Sequence, residues 1–304
     1  MARKIHRKKR RTTSGIVALG KALDLMVAGH DAVVGPDFLM TKRDSYDVDI
    51  GYLHPASLRT YDQEFVDSLF NFIPEKKIDL PSLSDLAVLY PEYREKRDQL
   101  NKYQQSFSDH IFKYDIDSAK ELGNYDVFHK KIVVGNEAEM NVFSDYIFLY
   151  RKLNNKRAII QWRLDDPKKC NTINKEVVLA HEKSRFAVLR LDKNLEHGAI
   201  KVTNIITKTE HLLIDKALNR SNLEGCFFIC SVLDMGKYSM TSGGGIPIKA
   251  TAPLGKSALT LLKKHLEKVH LSKRELNNNI INCVKEMYGF CLRAGILEYV
   301  TSSP

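Results

Sequence analysis

Between residues 92 and 112, Tyr93, Leu100, Tyr103, Phe107, Ile111 and Phe112 form an apolar stripe on an otherwise polar segment. Steps of three and four are what a helix needs to bury one face. The pattern predicts helix from residue 81 to 114, broken or bent at Pro91, whose ring removes a backbone donor. A second helix over residues 137–153 repeats the stripe with Met140, Phe143, Tyr146, Ile147 and Tyr150. Nearer the N-terminus, Ser14 is placed to cap a helix over 16–28 that Gly29 ends, and 63–72 reads as helix before Pro74. Residues 48–53 are a short extended candidate.

The period then changes. Residues 157–164 alternate as a strand, followed by a polar segment at 165–175, and 185–191, 199–206 and 211–214 read as three short strands. Thr207-Lys208-Thr209 turns the last two into a hairpin. Residues 226–233 form the most apolar and hence most central strand, with 238–241 as a short partner. No crossover helix separates these strands, so pairing is mostly antiparallel, in a small barrel or a strongly bent sheet. Helix returns over 257–269, and Ser272 with Glu275 three residues later makes a capping box for a final helix. That helix packs through Ile280, Ile281, Val284, Met287, Tyr288, Cys291 and Leu292. The predicted class is α+β: a basic tail (1–13), a mainly helical domain (14–154), a small antiparallel β module (155–248) and a C-terminal helical hairpin (249–304).

Composition narrows the class further. With 304 residues and 43% hydrophobic content the chain can bury a substantial core, which excludes wholesale disorder. Its longest apolar stretch, around 225–233, is about half the roughly 20 residues that a membrane-crossing helix needs. Five cysteines (Cys170, Cys226, Cys230, Cys283, Cys291) make no disulfide framework. The neighbouring pairs lie too far apart along a strand or a helix to bridge, and a reducing cytoplasm is the expected location.

The net charge of +10 is unevenly spread. Arg3, Lys4, Arg7, Lys8, Lys9, Arg10 and Arg11 form an acid-free tail, residues 255–304 carry a net +4, and residues 12–254 a net −1. The tail has three readings: an arm that grips phosphates by counterion release, a nuclear-import signal at Lys8–Arg11, or a solvated terminus.

Candidate chemistry is sparse. Ala250-Thr-Ala-Pro-Leu-Gly255-Lys256-Ser257 fits a permissive phosphate loop, in which amides cradle phosphate, Lys256 reaches the terminal phosphates and Ser257 holds Mg²⁺. The competing reading is a Pro-Leu-Gly turn with Ser257 as an ordinary helix cap, favoured because only helix follows. Asp47 and Asp49, on one face of a short strand after Gly35, could chelate Mg²⁺. The pair resembles the sparse Gly/Ser…Asp-x-Asp signature of nucleotidyltransferases, but Pro36 stands where a Ser or Gly should hold phosphate. The plainer reading of the aspartates is a polar loop.

Ser242-Gly243-Gly244-Gly245 reads either as a tight connection leaving the sheet or as a place where a ligand or chain approaches the backbone. Lys273 and Arg274 open the last helix, where a helix-turn-helix would meet DNA, although a helical hairpin closing the core accounts for them more simply. Trp162, Arg163, Lys237 and Tyr238 are the residues that a curved sheet would offer to single strands. Histidine and cysteine spacing gives no metal site, and no cofactor is expected.

The expected function is therefore a non-enzymatic binding or adaptor protein. Its partner is a protein or a nucleic acid, contacted through the basic tail and Lys273/Arg274. The alternative is a Mg-dependent enzyme of phosphate chemistry using Asp47/Asp49 or the 250–257 loop.

Overall fold

A computed structural model describes residues 32–35, 38–40, 74–128, 130–221, 223–248, 253–266 and 273–293. Two short strands, β1 (Ala32–Gly35) and β2 (Phe38–Met40), precede helix α1 (Leu83–Ser106). Ser82 starts α1 reciprocally: its hydroxyl accepts from the Asp85 N–H at 3.2 Å, while the Asp85 carboxylate accepts from the Ser82 N–H at 3.0 Å. The helix runs through Pro91 unbroken, so of the predicted break or bend the break does not occur. Proline there deprives the Ala87 carbonyl of its partner, and both residues are exposed, so water can take that bond. Leu86, Leu89, Tyr93, Leu100 and Tyr103 keep the buried stripe continuous.

Helix α2 (Ser108–Leu122) ends at Gly123, in the left-handed region at φ 79°. Strands β3 (Tyr125–Asp126) and β4 (Lys131–Val134) follow, completing a small sheet of order β1-β2-β4-β3 that hydrophobic periodicity did not predict. Helix α3 (Glu137–Asp145), capped by Asn136, passes into a π-helical turn at Tyr146–Tyr150 whose five side chains are all buried. The predicted helix therefore stops at Tyr150. A two-strand ribbon, β5 (Lys152–Leu153) and β6 (Lys156–Arg157), turns on Asn154 and Asn155, both with positive φ.

The segment expected to be a strand at 157–164 is helix α4 (Ala158–Asp165). Its buried residues Ala158, Ile159 and Trp162 fall on one helical face, and in so short a segment that spacing also passes for alternation. A 3₁₀ turn (Pro167–Cys170) and α5 (Lys175–Glu182) lead into the main sheet.

That sheet contains β7 (Arg185–Asn194), β8 (Ala199–Asn204), β9 (Thr209–Ile214), β10 (Phe227–Asp234) and β11 (Ser239–Ile248), with the short helix α6 (Lys216–Arg220) after β9. The predicted hairpin joins β8 to β9 and the most apolar strand is β10, as expected. Antiparallel ladders run β11-β10-β7-β8-β9. The outer strands meet at one parallel pair, Ser239 with Leu213. One pair is not a ladder, so the module is a strongly bent five-stranded sheet, and the expectation of a small β-barrel is corrected. Ala187, Leu189, Ile200, Val202, Leu213 and Phe228 form a buried cluster on the concave side. Phe186, Val188, Phe227, Ile229, Ile246 and Ile248 join the main core under the helices. The C-terminal hairpin, α7 (Pro253–Leu266) and α8 (Lys273–Arg293), closes that core with Leu259, Leu262, Val284, Met287, Tyr288 and Leu292.

Open edges need cover. Asp215, just after β9, accepts from the Thr241 hydroxyl of β11 at 2.7 Å, and Arg97 of α1 lies over both, 3.4 Å from the Asp215 carboxylate and 3.2 Å from Thr241 Oγ1. Gln104, also on α1, donates to the Ser242 carbonyl at 2.8 Å. Upstream of α1, the extended segment at 75–78 lies along β9: the Glu75 N–H reaches the Lys208 carbonyl and the Glu210 N–H reaches the Lys76 carbonyl, each at 2.9 Å.

The glycine run lies inside β11 and is no loop. A register shift places Ser242, Gly243 and Gly244 opposite Ser231 of β10, a bulge with Gly243 at φ 122°. Against this bulge packs α3. The Asp145 carboxylate accepts from Ser242 Oγ and from the Gly244 N–H, and a Cβ on Gly244 would stand 2.6 Å from the Asn141 carbonyl oxygen. A helix of the same chain thus occupies the backbone that those glycines expose.

Two consequences are measurable by urea denaturation. Gly244→Ala forces backbone apart and is expected to cost about 3 kcal/mol. Gly236→Ala, at φ 81° with open space around it, costs about 1 kcal/mol; equal costs would contradict the close approach. Burial raises the Asp145 pKa to about 7, against the opposing hydrogen bonds from Ser242 and Gly244. The folded state then holds a proton that the unfolded chain releases, so this group's contribution to stability falls between about pH 4 and pH 7. Burial acts oppositely on His181, lowering its pKa to about 3, so wild-type stability sums opposed slopes. The clean observable is Asp145→Asn minus wild type. That difference should rise by up to about 4 kcal/mol in favour of the variant from pH 4 to 7 and then level off. A difference independent of pH would contradict the assignment.

A basic face beside an open cavity

Two arginines and one carboxylate tie the β5–β6 ribbon, α4 and α5 together. Arg157 Nη1 donates to the Glu182 carbonyl at 2.9 Å and to Ser184 Oγ at 3.3 Å. Arg163 forms an ion pair with the Glu182 carboxylate, to which the Tyr103 hydroxyl also donates at 3.2 Å. Outside this buried junction stand Lys152, Lys156, Lys168, Lys175, Lys183 and Arg185, all exposed and without an ion-pair partner among the described residues. Three of the four acids in residues 151–185 are committed elsewhere, Glu182 to the arginines, Glu176 to Lys96 at 2.7 Å and Asp165 as acceptor from Gln161 at 2.8 Å, which leaves Asp166.

The segment 151–185 holds ten cations against four acids, a net +6, while the rest of 12–254 holds 22 against 29. Dividing the charge only into tail, body and C-terminus averages this face away. A count in 35-residue windows would have found it.

Lys183 and Arg185 also stand at the mouth of a cavity of about 1190 Å³. Alternate residues of three strands face it, Arg185, Ala187 and Leu189 of β7, Val202 and Asn204 of β8, and Val232 and Asp234 of β10, while β9 lines it with every residue from Thr209 to Leu213. The far end of the concave side is filled by Leu191, Ile200, Leu218, Leu223 and Phe228. On the other flank, α1 contributes Asp85, Val88 and Leu89, α5 contributes Glu176 and Ala180, and the β10–β11 turn contributes Met235, Lys237 and Tyr238.

His211 bonds Thr209 Oγ1 at 2.6 Å, and burial lowers its pKa. The Tyr238 hydroxyl is buried without a hydrogen-bond partner, and burial raises its pKa. Its ring lies 5.8 Å from Lys96 Nζ. Among the described residues no group of three or more His, Cys, Asp or Glu could hold a metal ion.

Asp47 and Asp49 lie outside the described residues, as do the tail cations Arg3, Lys4, Arg7, Lys8, Lys9, Arg10 and Arg11. Gly255, Lys256 and Ser257 lie within α7, which begins at Pro253, so Ser257 does not cap that helix; the Lys256 carbonyl accepts from the Thr260 hydroxyl at 2.8 Å. Lys273 and Arg274 open α8. Trp162 is 2% exposed and packs against Phe107 and Phe148, and Tyr238 is 3% exposed. Of the two places open to Trp162, an exposed platform or the core, it takes the core, and the Tyr238 ring is buried as well. Cys226, Cys230, Cys283 and Cys291 are buried and Cys170 is partly so, all as free thiols. No described helix is long and apolar enough to cross a membrane.

No curated protein and no solved structure matches the chain. A family model does, over residues 84–294. The matched region opens at the first turn of α1, closes at the end of α8, and takes in the bent sheet, its covering helices, the basic face and the cavity. It spans more than half of the chain, which therefore belongs to the family of unknown function DUF7986.

Proposed function

We propose that the protein is a non-enzymatic, cytoplasmic binding protein that grips nucleic acid through the face built from β5, β6, α4, α5 and the start of β7, with the basic tail adding sequence-independent contact. The observation that carries this reading is the set of six exposed cations without ion partners, drawn together by the Arg157–Glu182–Arg163 junction. Cations held on folded elements lose less conformational entropy on meeting phosphates than cations on a flexible arm, so the face supplies position and the tail supplies attraction. The neutral average of the body favours this arrangement, because the excess of acid elsewhere repels phosphate and confines contact to one side.

The test is fluorescence anisotropy of a labelled 20-base-pair duplex against the full chain and a Lys152→Glu/Lys156→Glu/Lys183→Glu/Arg185→Glu variant, at several salt concentrations. All four positions are exposed, so circular dichroism should show the variant folded. The expected result is at least a tenfold loss of affinity, with a salt slope flattened by about 0.9 for each phosphate that the variant leaves unneutralised. Unchanged affinity and slope, or binding lost only on removing residues 1–11, would take the site off the folded face.

A further inference from the structure

Resting on that reading, we propose that the cavity beside the basic face receives the base of an unpaired nucleotide, so that the ligand is single-stranded nucleic acid. Three observations combine. Lys183 and Arg185 belong to both the face and the cavity mouth, so a strand whose phosphates lie on them has its bases within reach of the opening. Past the mouth the lining turns apolar on the sheet side, with Ala187, Leu189, Val202, Leu213 and Val232, and the volume of about 1190 Å³ is ample for a base. The Tyr238 side chain, 3% exposed, belongs to the lining of the same cavity, and its buried hydroxyl has no partner. A buried hydroxyl left unbonded is costly, and a base edge that bonds it removes that cost.

The charges sort the ligand. Asp79, Asp85, Glu176, Glu210 and Asp234 line the cavity together with Lys76 and Lys237. Asp85, Glu176 and Glu210 are engaged by Ser82, Lys96 and Lys201, which leaves Asp79 and Asp234, without an ion pair among the described residues, to oppose phosphate and accept from the amino groups of a neutral base. The phosphates stop at Lys183 and Arg185, and the base goes in. A base paired within a duplex is not free to enter, which makes strandedness the discriminating property.

The experiment compares a fluorescein-labelled 20-nucleotide single strand with its duplex, using the full chain, Tyr238→Phe, and the four-glutamate variant. Tyr238→Phe removes only an unpartnered hydroxyl, so the fold is expected to survive, and a melting curve checks it. The single strand should bind at least tenfold more tightly than the duplex. Tyr238→Phe should weaken the single strand about three- to tenfold and leave the duplex unchanged. Equal affinity for both forms, or a Tyr238→Phe effect that is absent or the same for both, would overturn the cavity assignment. In that case, loss of both forms in the four-glutamate variant would leave the basic face standing. Failure of the wild type to bind either form would overturn the basic face and the cavity assignment together. Crosslinking from a 4-thiouridine-bearing strand to the cavity lining is expected, and crosslinks confined to the tail would equally reject the cavity.

Discussion

A five-stranded sheet that bends almost into a ring but pairs its ends at one residue leaves two edges for other segments to cover, and the rest of the molecule is arranged around them. Backbone donors and acceptors left unpaired in a protein interior cost more than the hydrogen bonds they forgo. Here the gap between β9 and β11 is stitched by Asp215 and Thr241, covered by Arg97 and Gln104 from α1, and backed by Asp145 of α3 against the glycine bulge. The position of α1 follows from this requirement, as does the burial of a carboxylate. Leu86, Leu89, Tyr93 and Leu100 supply the apolar attachment, and the polar side chains fix the register.

The same arrangement creates the cavity and the basic face. With the sheet open along one seam and α1 laid across it, the concave side is filled at one end by Phe228 and its neighbours and remains accessible at the other. The start of β7 is at that accessible end, so the chain arriving from α5 delivers Lys183 and Arg185 to the mouth. The glycine bulge and the cationic rim thus lie on one sheet, although about 60 residues separate them in the chain.

Much of this fold was legible from periodicity. The stripes of α1, α3 and α8, the β8–β9 hairpin and the apolar strand β10, paired on both sides, are local patterns that survive folding, although the middle strand of the sheet is β7 and not β10 as expected. Three features were not legible, each for a physical reason. Residues 158–165 make so short a segment that two periods fit it, and only the burial of Ala158, Ile159 and Trp162 on one face decides for helix. The role of Gly244 depends on α3, a hundred residues earlier in the chain, and that of Gly245 on the Phe228 ring of β10, so no local pattern announces either. The seam partners Arg97, Asp215 and Thr241 are ordinary polar residues until the topology brings them together. For the site, a division of the charge into tail, body and C-terminus is too coarse to show the 151–185 excess, which lies between the tail and Lys273 and Arg274 in the chain.

The most direct test of the sealed open seam is native-state hydrogen exchange on Arg97→Ala/Gln104→Ala beside the wild type. If α1 seals an edge that the strands do not close for themselves, amides of β9 and of residues 239–244 should exchange at least about tenfold faster in the variant, while those of β7 and the first half of β10 keep their protection. Unchanged protection along β9 and β11, or a uniform loss across all five strands, would contradict it: the first would mean that the strands close on each other, the second that α1 acts only through global stability.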